Sequence, residues 1–234
     1  MSISISYVEK YLGKHVKDPY GRVLGVLVSF FGDADGNVDA VEICLGEREF
    51  IQVPIDQVRF IQDSVILIPN WQFEAEKVVK RLEILRKRLY ALEDLYAKKE
   101  IPRHSYELFK KKLEDEFVKA KEEAKKVKDM LKKKVAELED IIIELDKAFT
   151  SVKMSYIAGE ISDKTYKTVA DQIRKYLEYA SHEKEDVKKF IDKMEGLESQ
   201  PLPIQAVKST GEEKSKEDSL PQEQPMPVVV IDST

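Results

Sequence analysis

Two hydrophobic patterns meet near residue 70 of the chain. Before it, short runs of β-branched and aromatic residues alternate with Gly-, Asp- and Asn-containing turns. After it, apolar residues recur at steps of three and four. The first pattern is typical of short strands and the second of amphipathic helices. The sequence therefore predicts an α+β, multi-part chain with a β domain over residues 1–70 and a helical region over residues 71–195.

Four strands are predicted in the first part, over residues 23–31, 38–45, 50–53 and 64–68. Turn residues bound each of them. Strands this short, with a turn every 8–12 residues or so, are typical of a small antiparallel barrel or sandwich.

One of the turns has the spacing of a calcium loop. Asp33, Asp35 and Asn37 match its first ligand positions, but Val38 stands where such a loop needs Gly and Cys44 where it needs Glu. The pattern therefore favours a plain hairpin turn over a calcium site.

Three helices are predicted beyond Pro69. Pro102 disfavours a helical Ile101, so the first helix should end near Glu100. The second should continue to Gly159 and the third should begin near Ser162 and end near Met194. The first helix carries a coiled-coil seam of a and d positions, formed by Val78, Leu82, Leu85, Leu89, Leu92 and Tyr96.

A short motif occurs at both predicted helix–helix turns. Tyr, three residues, Glu-Ile, three residues and Ser/Thr-Tyr span residues 96–106 and again residues 156–166. We predict that the tyrosines staple each turn, with a binding role as the alternative. Ser162 is suited to cap the third helix, and Pro102 takes the same place in the first copy.

The helix lengths predict an elongated rod. At 1.5 Å per residue the three helices are about 43, 80 and 50 Å long, so the first and third would fold back along opposite halves of the second. A rod two helices thick hides only part of its apolar seam. We therefore expect at least a dimer, and a filament is compatible with the pattern.

The charge pattern leaves nucleic-acid binding open. The net charge is −5, yet residues 71–160 carry 22 basic and 19 acidic residues, which is less basic than a dedicated nucleic-acid-binding domain. The clearest candidates for phosphate contacts are Lys132, Lys133 and Lys134, where each lysine would add a salt-dependent contact. The alternative is a solvated helix face.

The chain lacks the sequence signs of an enzyme or a membrane protein. Its three histidines lie far apart, and it has no Cys/His cluster, phosphate-binding glycine loop or Gly-x-Ser-x-Gly motif. No catalytic residue, metal or cofactor is predicted. With Cys44 alone, no internal disulfide, and no apolar run of about 20 residues, we expect a cytoplasmic protein with at most peripheral or indirect membrane contact.

The last part of the chain combines a polar linker with an apolar end. Residues 196–220 are too polar to order themselves. Exposed β-branched residues near the C-terminus would be an aggregation hazard, so we predict that residues 221–234 add as a strand to a partner's sheet. An inert tail is the alternative. The predicted partner-binding residues are Met226, Pro227, Val228, Val229, Val230 and Ile231.

The opening of the chain resembles a PRC-barrel domain. The resemblance lies in Leu12-Gly13-Lys14-His15-Val16 and in the Asp-containing turn over residues 18–25, which holds two glycines four residues apart. It implies a barrel used for protein contacts, without fixed chemistry.

The whole layout resembles the archaeal CdvA cell-division family, which combines such a barrel, a charged coiled coil and a Pro-Val-rich terminal strand. The resemblance implies a non-enzymatic scaffold that polymerises at mid-cell, associated with the membrane or the nucleoid. Its terminal strand, here Met226 to Ile231, would complete the winged-helix sheet of CdvB, an ESCRT-III-like protein. The alternative is a DNA-binding, nucleoid-associated filament that uses the basic coiled coil.

Overall fold

The structure is a computed structural model that describes residues 3–46 and 48–200. Its N-terminal part is a six-stranded sheet preceded by one helical turn, α1 (Ile5–Val8). The four predicted strands are confirmed, and two further short strands, β1 and β5, complete the sheet. The strands are β1 (His15–Lys17), β2 (Val23–Gly32), β3 (Val38–Leu45), β4 (Glu49–Pro54), β5 (Val58–Ile61) and β6 (Ser64–Leu67).

The sheet curls into a half-barrel with the strand order β4-β3-β2-β1-β6-β5. Adjacent strands are antiparallel except β1 and β6, which pair in parallel with Val16 opposite Val65. Breaks in the register of β2, after Leu27 and after Phe31, mark irregularities of the kind that bend a strand and increase its twist. The curl encloses a core in which Val16, Leu27 and Val65 are fully buried.

Gly25 allows β2 and β3 to approach each other closely. A Cβ atom at this position would lie 1.9 Å from the carbonyl oxygen of Cys44, a backbone atom that cannot move aside. The second glycine of the PRC-like turn is therefore required by strand packing.

The helical region consists of the three predicted helices: α2 (Asn70–Ala97), α3 (Arg103–Ile157) and α4 (Asp163–Ser199). Both α2 and α4 pack on α3, as the heptad pattern predicts. α4 continues past the predicted boundary at residue 195. The buried Gln57 holds the connection between β6 and α2, because its Nε2 donates to the carbonyl of Ile68 at 2.9 Å.

The prediction of a rod two helices thick is wrong for the part nearest the sheet. α2 (28 residues) and α4 (37 residues) are together longer than α3 (55 residues), so their ends overlap along it. The last turns of α4 therefore lie beside the first half of α2, and three helices pack together. Trp71 meets the ring of Phe190 edge-on, and Lys193 forms an ion pair with Glu83 at 2.9 Å. The fully buried side chains of this three-helix segment include Leu82, Leu89, Leu131, Leu138, Val187 and Met194.

Beyond the start of α2, α3 and α4 continue as a hairpin of two helices. In this distal hairpin, residues 141–177, the buried hydrophobic side chains are those of Ala170 and Ile173. Several large apolar side chains are exposed instead, including Ile143 at 51% and Ile157 at 74%. The predicted partly open seam is confirmed by Leu145 and Phe149, two seam positions that are only half-buried.

Candidate assembly surfaces

The six predicted partner-binding residues, Met226 to Ile231, lie outside the described residues. Their role therefore stays a prediction, as do the boundaries of the tail at residues 220 and 221.

The lysine run on α3 is divided between solvent and the protein. Lys132 and Lys133 are exposed, and within the described chain neither forms an ion pair. Lys134 is half-buried, with its Nζ 3.7 Å from carboxylate oxygens of both Glu137 and Glu183. Only two of the three lysines are therefore available to an external phosphate group.

Glu183 lies at the point where the sheet meets all three helices. Its side chain is buried on α4, and its carboxylate accepts from Arg22 at 2.6 Å and from the indole of Trp71 at 3.2 Å. Lys134 of α3 approaches the same carboxylate. One buried charge thus binds the turn before β2, the start of α2 and the middle of α3.

The turn before β2 presents the arginine to Glu183. The buried Asp18 accepts from the backbone N–H groups of Tyr20 and Arg22 at 3.0 and 2.8 Å, and also from the guanidinium of Arg22. Tyr20 donates to Asp186 of α4 at 3.4 Å, and burial followed by the charge of Asp186 raises the pKa of its hydroxyl. We call Asp18, Tyr20, Arg22, Trp71, Glu183 and Asp186 the sheet–helix clamp.

The clamp was not predicted from the sequence, in which Asp18 and Arg22 stood out only as parts of a turn. The one available signal was the Asp-x-x-x-Arg turn, since a buried aspartate needs a partner.

The paired tyrosines staple both helix–helix turns, as predicted. Tyr96 and Tyr106 stack with ring centroids 4.1 Å apart, and Tyr156 and Tyr166 stack at 4.4 Å. Tyr106 donates to Glu93 at 2.6 Å, and burial together with this hydrogen bond raises the pKa of Tyr106.

In the second turn the tyrosine hydroxyl has a different kind of partner. Tyr156 donates forward to Asp163 at 3.0 Å, and this hydrogen bond raises the pKa of Tyr156. Ser162 caps α4, since its Oγ accepts from the N–H of Thr165 at 3.2 Å. Both turns are therefore held by their own side chains, which favours the structural role of the tyrosines over the binding role.

The calcium-like loop forms the predicted hairpin turn between β2 and β3. The carboxylate of Asp33 accepts from the N–H groups of Asp35 and Asn37 at 2.9 and 2.8 Å. These hydrogen bonds lower the pKa of Asp33.

No group of three or more potential metal-binding side chains occurs within residues 3–46 and 48–200. In the same part of the chain, no helix is apolar enough over a sufficient length to span a membrane.

Comparison with known proteins places this architecture in a family. A family model described as a CdvA-like coiled-coil domain matches residues 70–217, from the first residue of α2 onward. The chain belongs to the CdvA family. Cell division protein A from Sulfolobus acidocaldarius is 34% identical to it over 238 residues, an alignment that covers 100% of both chains.

The CdvA assignment fits the features described above. The helical region of this CdvA-family chain begins where the family model begins, and the relative matches through the N-terminal sheet as well. The relative's name supports a role in cell division.

Proposed function

We propose that this chain is a non-enzymatic, self-assembling scaffold of cell division that recruits an ESCRT-III-like protein through its C-terminal strand. The observation that carries the proposal is the partly open apolar seam of a long helical hairpin. Ile143, Met154 and Ile157 of the same hairpin are more than half exposed, and their apolar surface would be stabilised if another chain covered it.

The recruiting role is supported by the sequence of the tail. Residues 226–231 join Met-Pro to four β-branched residues, a composition suited to strand addition at a sheet edge. A flexible connection would let such a segment reach a partner while the helices assemble. The proposed partner is a CdvB-type winged-helix domain, held close to the membrane at mid-cell.

A titration of that winged-helix domain into the full chain tests the recruiting role. The matched variant is the full chain with Val229→Asp and Ile231→Asp. We expect micromolar binding by the unaltered chain and a loss of about tenfold or more in the variant, since buried carboxylates without partners are costly. Self-assembly measured by sedimentation should be the same for both.

Equal binding by the two chains would contradict the recruiting role. Assembly that required ATP or GTP would contradict the non-enzymatic scaffold.

A second candidate function, DNA binding in a nucleoid-associated filament, is favoured by Lys132 and Lys133, which are exposed and form no ion pair among the described residues. It predicts DNA affinity that falls steeply with salt and weakens when both lysines become Glu. A DNA affinity independent of salt would exclude it.

A further inference from the structure

Charge is strongly segregated along the helical region. Residues 77–88 of α2 hold six basic residues, Lys77, Lys80, Arg81, Arg86, Lys87 and Arg88, against the single acidic Glu83. Residues 137–146 of α3 hold five acidic residues, Glu137, Glu139, Asp140, Glu144 and Asp146, and no basic one. The two segments therefore have opposite charge, and they lie in different parts of the fold.

The basic segment borders an open groove between α2 and α3. α4 contributes no residue to the groove lining, so this face of the pair is free of the third helix. Exposed apolar side chains lie along it, namely Ile84 at 40%, Leu95 at 37% and Phe109 at 52%. Cations border the same groove: Lys77, Lys80 and Arg88 all line it.

Much of the positive charge at this groove is not neutralised within the chain. Arg81 is bound to Glu123 at 2.6 Å. Lys77, Lys80 and Arg88 are exposed and have no ion-pair partner among the described residues. We call the groove with these cations the basic groove.

The acidic segment, residues 137–146, also keeps charge and apolar surface available. Asp140 and Asp146 are exposed and form no ion pair in the described part of the chain. Ile143, Met154 and Ile157 fall on one face of α3 by their spacing of eleven and three residues. They are 51%, 61% and 74% exposed, so apolar surface is available at Ile143 within the acidic segment and at Met154 and Ile157 further along α3.

We propose that the acidic segment of one copy docks into the basic groove of the next copy. The inference rests on the proposed self-assembly and names the surfaces that carry it. Ile143, Met154 and Ile157 would cover exposed side chains of the groove, and the carboxylates would meet its unpaired cations. Since the two surfaces differ and lie apart on one chain, the contact is head-to-tail and extends into a filament unless its rotation closes a ring.

A second copy fits the basic groove better than a nucleic acid does. Phosphate binding requires cations alone, whereas this groove also exposes Ile84, Leu95 and Phe109. The acidic segment supplies both matching features.

Charge reversal on the full chain tests the contact. The groove variant carries Lys77→Glu and Arg88→Glu, and the segment variant carries Asp140→Lys and Glu144→Lys. Each variant alone places like charges together at the contact. We therefore expect the amount of polymer that sediments to fall about tenfold or more. A mixture of the two should recover most of the polymer, because each then offers the other an oppositely charged surface.

The matched control is Lys132→Glu with Lys133→Glu, the same charge change on exposed, unpaired lysines outside both surfaces. It should assemble like the unaltered chain. Recovery in the mixture also shows that both variants fold, and their helical circular dichroism should match that of the unaltered chain.

The outcomes separate this contact from the proposed function. Reversed variants that assemble as well as the unaltered chain would overturn the docking contact and leave the scaffold role intact. Normal assembly of the groove variant with lost DNA binding would overturn it in favour of a phosphate site. If the unaltered chain itself failed to assemble, the scaffold proposal would be wrong.

Discussion

The long helix α3 passes through two different environments. In the three-helix segment its Leu131 and Leu138 are 0% and 1% exposed. In the distal hairpin the same seam continues with Leu145 and Phe149, which are only half-buried. The side-chain chemistry hardly changes between the two regions, so the number of neighbouring helices accounts for the difference in burial.

The three-helix segment therefore contributes mainly to the stability of the fold, whereas the distal hairpin offers surface for assembly. Buried apolar area stabilises a folded chain roughly in proportion to its size, so the three-helix segment contributes more per residue than the hairpin. The exposed residues of the hairpin remain available to another copy. A heptad seam can thus serve both purposes, depending on whether α2 packs beside it.

The largest effect is expected when one leucine is truncated in each region. Leu131→Ala leaves a cavity in the three-helix segment and should cost about 3 kcal/mol of unfolding free energy. Leu145→Ala, the same truncation in the hairpin, should cost about 1 kcal/mol, because its side chain is already partly hydrated. Urea unfolding followed by circular dichroism, at concentrations below assembly, measures both.

Equal costs at the two positions would show that the hairpin core is as well packed as the three-helix segment. The three-helix segment and the distal hairpin would then differ in the exposure of their apolar side chains and not in their contribution to stability.

A smaller effect is expected from the clamp that joins the three-helix segment to the sheet. Glu183→Gln keeps the shape of the side chain but removes the charge that faces Arg22 and Lys134. It should cost about 2 kcal/mol, below the range for a fully buried ion pair, because the side chain of Arg22 is 36% exposed. Thermal unfolding measures the loss.

The control for the clamp is Glu178→Gln on the exposed face of α4, which should change stability by less than about 0.5 kcal/mol. Hydrogen exchange adds a local measurement, since residues 18–22 should exchange faster only in the Glu183 variant. A uniform increase in exchange would argue against a clamp.

The features predicted from sequence are those that neighbouring residues determine. The bounds of β3 follow from its alternating pattern and flanking turns, and both helix–helix turns follow from a repeated motif within residues 96–106 and 156–166. In each case the interacting groups are only a few residues apart, so the pattern contains most of the information.

The features missed depend on distant residues. Arg22 and Glu183 are separated by 161 positions, and Trp71 and Glu183 by 112. The last turn of α4 was missed for a related reason. This turn, ending at Ser199, lies in a polar stretch whose helical state is supported by packing near α2, where Arg86 donates to the carbonyls of Leu197 and Gln200.

The smallest effect concerns the two helix–helix turns. Both turns place a residue in the left-handed conformation, Lys99 at φ 60° and Gly159 at φ 76°. The two turns also share a backbone hydrogen bond. The N–H of Glu100 donates to the carbonyl of Leu95 at 3.0 Å, and the N–H of Glu160 donates to the carbonyl of Ser155 at 2.9 Å. The turns therefore share one backbone geometry, a Schellman motif, and differ in the residue that adopts it.

Exchanging these residues sharpens the comparison. Gly159→Ala should cost about 1 kcal/mol, because a Cβ is unfavourable at positive φ. Lys99→Gly should gain about 0.5 kcal/mol or less, since relief of that strain exceeds the added freedom of the unfolded chain only slightly. Thermal unfolding of the two single variants measures both the expected loss and the expected gain of stability. If Lys99→Gly destabilised the chain, the lysine side chain would hold the first turn by a contact that the shared backbone geometry does not require.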